Sequence, residues 1–250
     1  MRGIAELCRA AGRVGTVALL ILLTIGAKSG WAGDDTARDA AGRETIVVFG
    51  DSQAQGVAVG LQRVLLDDRR FRVLNRTVPG AALVHGESEW LAPIKRFLGR
   101  EKADIAVVMF GGNDRLDLRE DDGTTLRFRT DTWREAYIRR TNKILAELVE
   151  AGLRVVWCGN PIARSGTYSA DMAYINDIYA EQALRFGARF LPLWSAIVDD
   201  KGQFTAYGKS RDGTTQRLRN DDGIHFTAAG YGLIADKIVG ALPVDPPGGR

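Results

Sequence analysis

The chain has 250 residues, 45% of them hydrophobic and 26% charged, with a formal net charge of +3 and only two cysteines. Its charges are mixed in sign with no long Lys/Arg block, which excludes a polyanion-binding face and with it nucleic acid as a partner. Two cysteines cannot build a disulfide framework, so a buried core must hold the fold.

At the start of the chain, Arg2, Arg9 and Arg13 precede an apolar run from Val14 to about Ala27. At about 14 residues the run is short of the ~20 that a helix needs to cross a bilayer, and Gly30-Trp31-Ala32 offers small residues for cleavage. Residues 1–32 are therefore expected to be a signal peptide removed after Ala32, leaving a periplasmic or secreted domain with no membrane span. An uncleaved anchor would hold the same domain outside the cytoplasm. Cleavage would remove Arg2, Arg9, Arg13, Lys28 and Glu6, and the net charge would fall to zero. Cys8 lies ahead of the apolar run, where a lipoprotein cysteine would have to follow it. Cys158 would then stand alone, as a packing residue at the end of an apolar strand.

Residues 33–44 are polar and rich in small side chains, as a flexible linker would be. Short β-branched runs then read as buried strands at Thr45–Phe49, Phe71–Leu74, Ile105–Phe110, Val155–Cys158 and Arg189–Leu191. Between them, helical spacing predicts helices over Ala54–Asp67, Glu89–Leu98, Thr132–Glu150 and Ala170–Phe186, with a last one over Ala228–Val239. Alternating strand and helix implies an α/β domain over residues 45–241, a three-layer α/β/α flavodoxin-like sandwich with a five-stranded parallel sheet in the order 2-1-3-4-5. Ligands should then gather where the carboxyl ends of the first and third strands diverge. Residues 242–250, rich in proline and glycine, read as a flexible tail.

The first strand runs into Gly50-Asp51-Ser52, which presents a serine hydroxyl at the carboxyl edge of the sheet just before a helix. The second leads through Pro79 to Gly80, where a missing side chain lets a backbone N–H face a ligand. The third ends in Gly111-Gly112-Asn113-Asp114, which puts an amide donor beside the serine. Only His85 and His225 lie in the domain to act as base. His225 follows Asp222 by three residues, and in a helix-like turn that spacing brings both side chains to one face, so the carboxylate can orient the imidazole. Asp221 lacks the spacing. His85, with no matching acid evident, is the alternative base and a candidate substrate contact, as are Asp114 and Arg164. The Gly-x-Ser-x-Gly elbow of α/β-hydrolases does not fit, because Ala54 stands at its second glycine.

In this order Ser52, Gly80, Asn113 and His225 resemble the four blocks of the SGNH hydrolase superfamily. Finer features are similar to its DUF459 branch: Gly111 to Arg115, Val156-Trp157-Cys158-Gly159-Asn160-Pro161, and the run Leu218 to Thr227. The resemblance implies the three-layer fold, a Ser52–His225–Asp222 triad, and an oxyanion hole made by the backbone N–H groups of Ser52 and Gly80 with the Asn113 side chain. Gln53 departs from the leucine that many relatives carry after Gly-Asp-Ser.

The expected chemistry is acyl transfer through an acyl-enzyme on Ser52, with no cofactor and no metal. Asp121-Asp122 and Asp199-Asp200 read as turn residues rather than metal ligands. The expected partner is a small ester substrate, foremost an O-acetylated glycan of the envelope or extracellular space. A lipid esterase or thioesterase, an O-acetyltransferase, and a non-catalytic glycan-binding module are the alternatives. The charged segment from Leu116 to Asp131 could wall or cover the cleft, or simply be solvated.

Overall fold

The computed structural model of the chain describes residues 42–242. The expected leader, most of the linker and the tail from residue 243 lie outside the described residues. The elements follow in chain order: β1 (Glu44–Gly50), α1 (Ser52–Val64), β2 (Phe71–Asn75), α2 (Glu87–Trp90), α3 (Ala92–Leu98), β3 (Ile105–Met109), β4 (Leu118–Arg119) and β5 (Thr125–Leu126). Then come α4 (Asp131–Glu150), β6 (Arg154–Cys158), α5 (Gly166–Arg185), β7 (Arg189–Leu191), β8 (Tyr207–Lys209), β9 (Thr215–Arg217) and α6 (Ala228–Val239).

Five strands form one parallel sheet in the order β2-β1-β3-β6-β7. This is the expected 2-1-3-4-5 order. Alternation along each strand divides the core between two faces, since successive side chains point to opposite sides of a sheet. Val47, Phe49, Ala106, Val108, Val155 and Trp157 meet the apolar sides of α3, α4 and α5. Ile46, Val48, Ile105, Val107, Val156 and Cys158 meet α1 and α6. Strands buried on both faces need continuous apolar runs, which is why these segments are legible without alternation. Cys158 is buried with its thiol free, and desolvation pushes its pKa up to about 12.

Three local details depart from expectation. The helix expected over Glu89–Leu98 is two pieces, α2 and α3, separated at Leu91 with Pro93 in the first turn of α3. Proline has no N–H to continue the ladder, so the chain restarts there. Two antiparallel hairpins, β4–β5 and β8–β9, lie outside the main sheet. Leu242, assigned to the tail, is buried against the α1/α6 layer. Among the described residues no helix is long and apolar enough to cross a membrane.

Candidate active site

β1 has β2 on one side and β3 on the other, so the loops that follow these strands part at the carboxyl end of β1 and open a crevice there. Gly50 makes the turn possible. Its φ is +140°, and a Cβ there would lie 1.8 Å from the Met109 carbonyl oxygen. Asp51 caps α1, its Oδ1 accepting from the Gln53 N–H at 2.9 Å. Ser52 follows as the first residue of the helix, where the helix dipole favours developing negative charge.

The loop after β9 supplies the base. Asp222 Oδ1 accepts from the N–H groups of Ile224 (2.8 Å) and His225 (3.0 Å), and its Oδ2 lies 2.7 Å from His225 Nδ1. Burial raises the Asp222 pKa, but the Ile224 N–H and the His225 side chain and N–H outweigh it and hold the carboxyl below its usual range. An ionised carboxylate only accepts, so Nδ1 carries the proton and Nε2 presents its lone pair. That lone pair faces Ser52 Oγ at 2.8 Å across 173 residues of sequence. The structure thus brings Ser52, His225 and Asp222 into one hydrogen-bonded line.

Gly80 sits in a tight turn closed by the Ala81 N–H on the Val78 carbonyl (3.0 Å). Pro79 precedes it and its φ is +83°, the requirements of a type II turn. The turn is held to the end of β1 by the Val78 N–H on the Gly50 carbonyl (2.8 Å). Asn113 Nδ2 donates to the Ala81 carbonyl at 3.1 Å, which joins the two loops and leaves a second amide hydrogen. Among the described residues, no protein acceptor takes the Gly80 or the Ser52 N–H.

None of the three residues expected as substrate contacts, Asp114, His85 and Arg164, lines the cleft at Ser52. Asp114 is fully buried, accepting from the Val84 N–H (3.0 Å) and the Tyr137 hydroxyl (2.7 Å), so it fastens the Gly80 loop from beneath and faces no substrate. His85 does have a carboxylate partner: its Nδ1 lies 2.7 Å from Glu89 Oε2, one turn on and exposed. Arg164 Nη1 donates to the Asp221 carbonyl (2.7 Å) and its N–H to the Gly223 carbonyl (3.0 Å), so it braces the histidine loop. The segment Leu116 to Asp131 folds onto α4, with the Trp133 indole on the Leu116 carbonyl and Arg140 on the Arg119 carbonyl, and it does not line the cleft at Ser52.

Sequence reasoning missed Arg219. Its guanidinium is fully buried, donates to the carbonyls of Ile224 (2.9 Å) and Ile162 (2.6 Å), and lies 3.8 Å from the centre of the Phe226 ring. Desolvation pulls its pKa down to about 10. It ties the loop that carries His225 to the loop after β6. A cleft of about 470 Å³ opens from Ser52 and His225 along α1, with α6 as its other bank. Among the described residues no group of His, Cys, Asp and Glu side chains could hold a metal ion.

Residues 45–241 match the family described as a protein of unknown function, DUF459. No curated protein matches the chain. Among solved structures, a protein from Slackia heliotrinireducens classed as an SGNH hydrolase is 19% identical, with a TM-score of 0.52 over 79% of this chain and 98% of that one. A GDSL-like lipase from Bacteroides thetaiotaomicron is 14% identical, with a TM-score of 0.54 over 82% and 90%. Axe2, an acetylxylan esterase from Geobacillus stearothermophilus, is 13% identical, with a TM-score of 0.55 over 81% and 95%. At these identities the likeness is one of fold. The chain belongs to the DUF459 family and is built on the SGNH hydrolase fold.

Proposed function

We propose that this chain is an exported serine esterase that removes small acyl groups, foremost O-acetyl, from a glycan of the envelope or extracellular space. The observation that carries the esterase reading is the line Asp222–His225–Ser52 with its 2.7 and 2.8 Å contacts at the crevice of the sheet. Ser52 Oγ attacks the ester carbonyl as its proton passes to His225 Nε2, and the Ser52 and Gly80 N–H groups with the Asn113 amide receive the oxyanion. His225 then returns the proton to the leaving alcohol, and water, activated by the same nitrogen, releases the acid. Export rests on the leader at residues 1–32 and the O-acetyl choice on the small-ester chemistry of this fold, acetylxylan esterases among its neighbours.

The test is hydrolysis of p-nitrophenyl acetate, butyrate and octanoate by residues 33–250, with Ser52→Ala as control. Acetate-selective turnover that vanishes in the control is expected. Octanoate preference would point to a lipid esterase, and equal rates in both proteins would overturn the assignment of Ser52. An O-acetyltransferase would reveal itself by acetylated products when acceptor glycans are added.

A further inference from the structure

The cleft at Ser52 is longer than a small acyl group needs, and its position relative to the triad assigns it. His225 must protonate the leaving alcohol, so the alcohol lies on the imidazole side of Ser52, away from the oxyanion donors. The cleft includes His225 and runs between α1 and α6, whereas Gly80 and Asn113 are not among the residues that line it. It is therefore the channel for the alcohol half of the ester. Gly56 and Gly60, which also line it, let Tyr231 of α6 pack directly on α1.

The walls state what that alcohol should be. Gln55, Asn75 and Asn220 each bring a carboxamide, able to donate and accept with hydroxyl groups. Asn75 Oδ1 is already taken by the N–H and hydroxyl of Thr77, so its amide hydrogens are what it offers the cleft. Tyr231 adds an aromatic surface. At the far end stands Arg63, 11 residues along α1 from Ser52, or about 16 Å at the ordinary helical rise. A cation in the last turn suits the helix dipole wherever it points. Here, however, Nη1 reaches across to 3.5 Å from the Ala228 carbonyl of α6, and among the described residues Arg63 pairs with no carboxylate. A guanidinium left with one long contact to a carbonyl, in a groove of carboxamides, is equipped to receive a carboxylate or a phosphate.

We infer that the α1–α6 cleft binds the alcohol moiety of the substrate, a glycan carrying an anionic group that Arg63 recognises at a distance from the scissile ester. The inference rests on the esterase reading for its orientation, so its test has one arm without catalysis. In that arm, Ser52→Ala is titrated calorimetrically with trigalacturonate, phosphorylated maltotriose and neutral maltotriose. Tighter binding of a charged ligand than of maltotriose is expected, falling at least tenfold when Arg63→Gln is added and largely kept in Arg63→Lys. The charged ligand that shows the difference tells carboxylate from phosphate. Equal binding of all three, or a loss in Arg63→Gln that is the same for maltotriose, overturns the inference.

In the catalytic arm, the ratio of kcat/KM on acetylated trigalacturonate to that on acetylated maltotriose should fall about tenfold in Arg63→Gln. An unchanged ratio overturns it. Failure of all hydrolysis with charge-selective binding intact would instead remove the esterase reading and leave the anionic glycan site standing.

Discussion

Asp51 stands between the turn glycine of β1 and the nucleophile, 1% exposed, and desolvation with the nearby Asp114 charge pushes its pKa up to about 7 against the braking effect of the Gln53 N–H. Asp114, also buried, is raised to about 6. A carboxyl whose pKa is raised on folding binds more protons native than unfolded, so its contribution is full below about pH 4 and is lost as pH rises to about 7. Asparagine can keep the N-cap bond without the charge, so Asp51→Asn should lessen the decline in unfolding free energy between pH 5 and pH 8 by on the order of a few kcal/mol. Urea titrations at the two pH values measure this, and a decline equal to wild type would sink it. On the proposed mechanism, Asn113→Ala removes one oxyanion donor and should lower kcat about 100- to 1000-fold with little change in unfolding midpoint. A variant with undiminished kcat would deny Asn113 that role. The hydrogen-bonded line of Ser52, His225 and Asp222 was legible because Gly-Asp-Ser follows a strand and Asp-x-x-His has the spacing of a turn. Asp114 is buried beneath the Gly80 loop rather than facing substrate, because nearness to a motif says nothing of where a side chain points. Arg219 escaped notice because nothing in a sequence marks an arginine that will be buried with carbonyl partners.

At the scale of elements, the contact between α1 and α6 decides the site, since one helix begins with Ser52 and the other follows His225. Gly60 is buried at that contact, and a Cβ on it would lie 2.6 Å from the Tyr231 carbonyl oxygen. Backbone cannot rotate away as a side chain can, so Gly60→Ala must push the helices apart. The expected cost is about 1–3 kcal/mol from overpacking, set against up to about 1 kcal/mol from better helix propensity. kcat should fall with it, as the His225 loop moves with α6. Denaturation and turnover measured on the same protein check both, and a variant stabilised at full activity would show that the contact has slack. The long helices were readable from periodicity, and the last one has the expected bounds, Ala228–Val239. The hairpins were not, since strands of two or three largely exposed residues carry no apolar pattern. Their turns, at Asp122-Gly123 and Asp212-Gly213, did carry a signal, for Asp-Gly is among the strongest short hairpin cues.

At the scale of the molecule, strand order followed from few premises: five apolar runs, helices between them and right-handed crossovers. The cleft's direction did not, because it depends on how closely two helices 176 residues apart in their first residues approach one another. The same separation has a temporal consequence. Gly50, Ser52 and the first sheet pairs leave the ribosome well ahead of the His225 imidazole that faces the serine hydroxyl, which follows 173 residues later. A chain still growing, or clipped ahead of Asp222, carries an unactivated hydroxyl. On the esterase reading, turnover appears only when α6 has docked on α1, and the onset of ester hydrolysis is a clock for that closing event of folding.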